Sequence, residues 1–199
     1  MKKIFSFILV FALALSLCAC KKEQKKEETP AGTYKTIGIF SDTKYTLKED
    51  LTFTATDSTS GTYVLNTDGA IWLSRGDEQG FDFIKAGDYY YRQDVYGGFS
   101  EDTSEEFLEV MFDENGRSNQ SFYKGIETTY YRLDLKEDGT YYASREEYKE
   151  EDFSLISKKE FSGKYTFKDS ILWLTHGENK YPIIYDSGVL YFDVIEKVK

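Results

Sequence analysis

The chain has 199 residues, of which 40% are hydrophobic and 17% aromatic, and a net charge of −10. That length allows one domain or two small ones, and that apolar content is enough for a packed core, which argues against general disorder. The acidic balance argues against nucleic acid as a partner, because nothing would neutralise phosphates along a groove; its plain role is solubility.

Met1-Lys-Lys3 is a short positive segment, and Ile4 to Leu17 an almost uninterrupted apolar run. The run is too short to span a bilayer and suits a secretory signal peptide. It closes on Leu17-Cys-Ala-Cys20, which resembles the bacterial lipobox, with Leu at −3 and a small residue at −1. Cys18 fits less well, because bulky Leu17 would stand at the cleavage site. The resemblance implies cleavage after residue 19, a lipid on Cys20, and a lipid-anchored chain on the extracytoplasmic face of a bacterial membrane. Both cysteines lie in this region, so the rest of the chain has no thiolate or disulfide to use.

Residues 20–31 read as a charged tether, since Lys21 to Pro30 holds no apolar side chain. A first β repeat is expected over 32–98. Thr33–Phe40, Lys44–Leu47 and Leu51–Thr56 are rich in Thr, Tyr, Phe and Ile, with turn residues between them. Residues 99–120 read as an acidic linker. Thr103-x-x-Glu106 could cap a short helix through Phe112, or Leu108, Val110 and Phe112 could form one strand face turning at Asn115-Gly116. The strand is the preferred reading. A second repeat is expected over 121–199, with Arg145–Asp152 as an exposed loop or short helix capped by Ser144.

The repeats are legible as echoes. Gly61-Thr-Tyr through Trp72-Leu73 returns as Gly163-Lys-Tyr through Trp173-Leu174, and Leu47-Lys-Glu-Asp50 returns as Leu135-Lys-Glu-Asp138. Tyr89-Tyr-Tyr91 aligns with Val189-Leu-Tyr191. This order indicates an internal duplication of an all-β unit. A two-residue Asp68-Gly69 turn would put Tyr63, Leu65 and Trp72 on one face of the first hairpin. A three-residue turn at Lys168–Ser170 would pair Tyr165 with Trp173. Both tryptophans are then core residues, and both hairpin faces are apolar, as in strands covered on each side.

Chemistry-bearing patterns are sparse. His176 is the sole histidine and reads as a surface residue, which leaves no usual zinc ligand set. No serine sits in a nucleophile elbow, no glycine loop suits a phosphate, and Asp113–Gly116 is a turn rather than a calcium loop. The expectation is therefore a non-enzymatic protein without cofactor or metal. The adjacent tyrosines are the exception, since neighbouring strand residues face opposite ways and one ring of each pair must meet something other than its own core. Tyr89, Tyr91, Tyr131 and Tyr142 are the candidate ligand-binding residues.

The expected fold is an antiparallel all-β meander, duplicated in tandem into barrel-like or sandwich-like halves. Its Gly-Thr-Tyr start, Leu-Lys-Glu-Asp turn, tyrosine strand and tryptophan hairpin resemble the lipocalin-like β-domains of bacterial surface lipoproteins, although Gly32-Thr-Tyr34 replaces the lipocalin Gly-x-Trp. The resemblance implies a cavity or open face that binds, and no catalytic residue. Two functions follow: capture of a small apolar or glycan ligand, or a protein-interaction or envelope-structural role with no small ligand. An enclosed aromatic cavity would favour the first, and filled cores beside a flat aromatic patch the second.

Overall fold

The computed structural model describes residues 29–41, 43–76, 80–94, 98–99 and 111–199. The expected signal peptide, Cys20, most of the expected tether and residues 103–110 lie outside the described residues. Met111 and Phe112 are described and belong to no strand.

Among the described residues, every regular element is a β-strand. The first eight are β1 (Gly32–Thr36), β2 (Lys44–Leu47), β3 (Thr52–Ala55), β4 (Ser60–Leu65), β5 (Ile71–Ser74), β6 (Phe81–Ala86), β7 (Tyr89–Arg92) and β8 (Gly98–Phe99). The second eight are β9 (Ser121–Ile126), β10 (Thr129–Leu135), β11 (Thr140–Tyr148), β12 (Leu155–Lys168), β13 (Ile171–His176), β14 (Asn179–Asp186), β15 (Val189–Tyr191) and β16 (Val194–Lys197). They form two antiparallel eight-stranded units in tandem. One is a closed barrel in the order β1-β16-β7-β6-β5-β4-β3-β2, and the other a barrel-like sheet in the order β8-β15-β14-β13-β12-β11-β10-β9.

The duplication holds down to single hydrogen bonds. After β2, Asp50 accepts from the backbone N–H and hydroxyl of Thr52, at 3.0 and 2.6 Å; after β10, Asp138 does the same with Thr140, at 2.8 and 2.6 Å. Tyr63 donates to the Lys48 carbonyl at 2.7 Å, and Tyr165 to the Lys136 carbonyl at 2.8 Å. A Cβ on Gly61 would strike the Ser74 carbonyl, and one on Gly163 the Thr175 carbonyl. Close strand approach therefore reserves both positions for glycine.

The repeats do not close on themselves. β8 follows β7 in sequence but pairs with β15, while β16 follows β15 but pairs with β7 and β1. Each repeat gives its eighth strand to the other unit. The expected boundary after residue 98 and the single second repeat 121–199 are corrected accordingly: Gly98-Phe99 belongs to the second unit, and Val194–Lys197 to the first. Nor is 111–120 a free linker. Phe112 stacks on Phe167 with centroids 3.8 Å apart, and buried Ser118 donates its N–H to Tyr165 at 2.8 Å.

Inward side chains fill both units. Phe53, Tyr63, Ile71, Leu73, Phe83 and Ile195 pack inside the first, and Leu133, Tyr165, Leu172, Leu174 and Ile183 inside the second. Phe40, on the turn after β1, enters the second unit and meets Tyr131 and Phe192 at centroid distances of 5.3 and 5.4 Å. A third cluster joins the outer faces of β6–β7 and β14–β15; the equivalent Ile84 and Ile184 both belong to it, and Tyr91 meets its equivalent Tyr191 at 4.8 Å.

Both tryptophan hairpins differ from expectation by one residue of turn, in opposite directions. The first turns through Thr67-Asp68-Gly69, closed by an Asn66 N–H to Ala70 carbonyl bond at 2.8 Å, with Gly69 at φ 87°. The second turns through Asp169-Ser170 alone, both residues at positive φ. Each change flips the parity of its strand. Trp72 therefore pairs with Val64, and Trp173 with Thr166, both on outer faces. Trp72 is 37% exposed, so the core assignment is corrected. The doubly covered strand is found only in the second copy, where Trp173 meets Tyr89 of the first barrel at 6.0 Å.

Candidate ligand-binding cleft

Of the charged stretch expected as an exposed loop or short helix, Arg145–Tyr148 is strand, while residues 149–152 form the exposed turn. β11 and β12 continue together as far as Tyr148 and Leu155, held by Glu146 opposite Lys158 and Glu147 opposite Ser157. Opposite-charge cross-strand pairing gives a polar segment a reason to be extended. The result is a hairpin arm whose outer face continues that of β9 and β10.

Register then decides which residues share that face. Tyr123 lies opposite Arg132, which lies opposite Ser144; Gly125 lies opposite Tyr130, which lies opposite Glu146. These side chains, with Tyr148 and Phe153 from the arm, line a cleft of about 590 Å³. Tyr123, Tyr130 and Phe153 are 60%, 42% and 62% exposed. Large rings left this open at a concave surface are the kind of patch that marks an interaction site.

Gly125 sets the attitude of Tyr130. A Cβ there would stand 3.1 Å from Tyr130 Cε1 and 3.4 Å from Cδ1, so the ring lies against the glycine backbone and turns its other face outward. Tyr148 and Tyr130 meet edge to face, with centroids 5.5 Å apart and ring planes at 88°. The Arg132 guanidinium sits 5.3 Å from the Tyr123 centroid and 5.6 Å from that of Tyr142. Phe153 is presented by a turn in which it adopts φ 52°, an unusual conformation for a bulky residue.

The ionic groups on the outer face beside the rings are paired with one another. Arg132 binds Asp134 through two nitrogens, at 3.0 and 2.7 Å. Lys158 bridges Glu146 and Glu160, each at 3.1 Å. Tyr148 donates to Glu146 at 2.7 Å and Tyr142 to Glu160 at 2.5 Å. The Tyr148 hydroxyl, and then Lys158, hold the Glu146 carboxyl below the usual range, and Tyr142 and then Lys158 do the same for Glu160. The two carboxylates in turn raise the Lys158 ammonium. All three stay ionised and mutually satisfied at neutral pH.

The four expected tyrosines are not brought together. Tyr131 turns inward opposite buried Lys124, lines the base of the cleft and packs on Phe40 and Phe192. Tyr142 is on the outer face beside Arg132. Tyr89 and Tyr91 do face outward, but into the second unit: Tyr91 is buried and donates to Asp186 at 2.6 Å. These two hold the units together and offer no platform. His176 is half-buried, with Nδ1 2.9 Å from the Ser162 carbonyl. Tyr123, Tyr130, Tyr148 and Phe153 escaped the sequence reading. One signal was available, since a two-residue turn at Glu127-Thr128 sets Gly125 opposite Tyr130, and a glycine facing a ring across a hairpin leaves room for that ring to lie flat.

Among the described residues, no three His, Cys, Asp or Glu side chains converge as they would around a metal ion. Set against known protein families, curated proteins and solved structures, the chain matches none.

Proposed function

We propose that this chain is a lipid-anchored binding protein of the bacterial cell envelope, without catalytic activity, and that its ligand lies in the tyrosine cleft of the second unit. The observation that carries this reading is the cleft: about 590 Å³ of open concavity walled by exposed rings whose orientations are fixed by glycine and carboxylates. Rigid aromatic walls with a few placed polar groups are what a small-molecule site requires. Both units are filled with side chains, so the supporting feature is an outer face rather than a barrel interior. The apolar run and Leu17-Cys-Ala-Cys20 support the address, with Cys20 as the anchoring residue.

Two experiments test this. Cys20→Ser should abolish lipid labelling and release the chain from membranes; unchanged fractionation refutes the anchor. A panel of glycans, fatty acids and envelope peptides should contain a ligand whose affinity falls at least tenfold in Tyr123→Ala or Tyr130→Ala, with the melting temperature kept. A ligand indifferent to both substitutions refutes the cleft.

A second reading, docking of an envelope protein, is favoured by Leu155 and Ile156, exposed beside Phe153 at the tip of the arm. Truncating those two would then weaken binding more than losing Tyr130.

A further inference from the structure

Binding in the cleft, as proposed above, leaves the kind of ligand open, and what the cleft does not offer narrows it. We infer that it takes a neutral oligosaccharide, stacked on Tyr123 and Tyr130 and held at its rim by the Glu146 carboxylate and the Arg132 guanidinium.

Charge comes first. An anionic ligand would have to draw Arg132 from Asp134, or Lys124, which is buried in the lining and already engaged, from its own partner, and a cationic one would have to compete with Lys158 for Glu146. Each exchange gives up a charge-assisted bond to form another, so net charge on a ligand gains little there. A carboxylate already paired with a cation keeps lone pairs for neutral hydroxyl donors. The rim therefore favours many weak donors and acceptors over one strong charge.

The rings come next. One face of Tyr130 is closed by the Gly125 backbone and one face of Tyr123 by Arg132, leaving each with one open face. Tyr123 and Tyr130 sit diagonally on adjacent strands, within reach of a single ligand. A pyranose has a face of C–H bonds and a rim of hydroxyls, matching an aromatic floor with polar walls. Both rings are already fixed in place, so little side-chain freedom is lost on binding. A fatty acid fits worse, because it needs an enclosed apolar channel and a cation free to meet its carboxylate, and this cleft is open.

The test uses the full chain in detergent on an array of neutral and acidic oligosaccharides and synthetic peptides, followed by calorimetry. Three variants are compared: Tyr130→Ala, which deletes a ring; Gly125→Val, which keeps every ring but lifts Tyr130 off the backbone; and Phe122→Leu, a stability control inside the unit. The expected result is binding of neutral oligosaccharides, weakened at least tenfold by Tyr130→Ala and by Gly125→Val, and not by Phe122→Leu. Preference for acidic glycans, for peptides, or for nothing on the array overturns the neutral-glycan inference. If such a ligand is still lost in Tyr130→Ala, the cleft remains the site and only its ligand class was wrong. Oligosaccharide binding untouched by both cleft variants overturns the cleft itself.

Discussion

Deleting residues 194–199 should unfold the first barrel, although those residues are a hundred positions from most of it in sequence. β16 lies between β1 and β7, with Thr36 opposite Ile195, Tyr34 opposite Lys197 and Tyr90 opposite Ile195. Val194 and Ile195 are both essentially inaccessible, at 0% and 1% exposure. Removing a buried Ile side chain alone costs about 2–5 kcal/mol, and loss of the Val adds about 2 more. The closing strand also supplies the partners of two edges, including the Ile37 N–H to Val194 carbonyl bond at 2.8 Å. A loss of at least about 4–7 kcal/mol is comparable with the whole stability of a small domain. Hydrogen exchange read by mass spectrometry is the assay. Peptides covering β2–β6 should lose protection in the truncated chain, while those covering β10–β13 keep most of theirs. If protection is lost from β10–β13 first, or equally from both units, the exchange of strands does not hold in solution.

Two other outcomes follow from the same geometry. Trp72→Ala should cost about 1 kcal/mol or less, because the ring lies on the surface, whereas Trp173→Ala should cost about 2 kcal/mol through its contact with Tyr89; chemical denaturation of both variants, with iodide quenching to show Trp72 as the more accessible indole, checks this. Burial pushes the Asp193 carboxyl up to about 6, against the partial opposition of Arg92, and its Oδ1 has no hydrogen-bond partner. The folded chain therefore holds that proton while the unfolded chain releases it near its ordinary value, so this residue lowers stability progressively as pH rises from about 4 to 6. Asp193→Asn should gain about 3 kcal/mol over wild type between pH 4 and pH 8, and an equal difference at both pH values refutes the assignment.

How far the sequence reached depended on whether a feature was local. The Leu-Lys-Glu-Asp turns and the glycines at 61 and 163 that open the tryptophan hairpins lie within short stretches, and each repeat states them again. Hairpin parity was less legible. Asp68-Gly69 is a strong two-residue turn signal, yet the chain uses Gly69 as the left-handed residue of a three-residue turn, and one residue moved Trp72 from core to surface. The exchanged strands could not be read at all, because Val194–Lys197 would pattern identically against either unit. Pairing partners are a property of long-range packing, not of composition.

The tyrosine doublets show where a sound local rule needs a global fact. Each doublet does place one ring inside and one outside: Tyr141 in and Tyr142 out, Tyr131 in and Tyr130 out. What an outer ring then does depends on what stands beyond it. Beyond Tyr89 and Tyr91 stands the second unit, brought there by the same exchange of β8 and β16, and these rings became the joint. Beyond Tyr130 stands the β11–β12 arm, which the alternating Arg145-Glu146-Glu147 stretch builds only because Lys158 and Ser157 lie across from the two glutamates. The arm supplies Tyr148 and Phe153, and turns an exposed ring into the floor of a cleft. The aromatic surplus is thus divided between joining the units and forming an open site, and the pairing of strands determines which ring serves which.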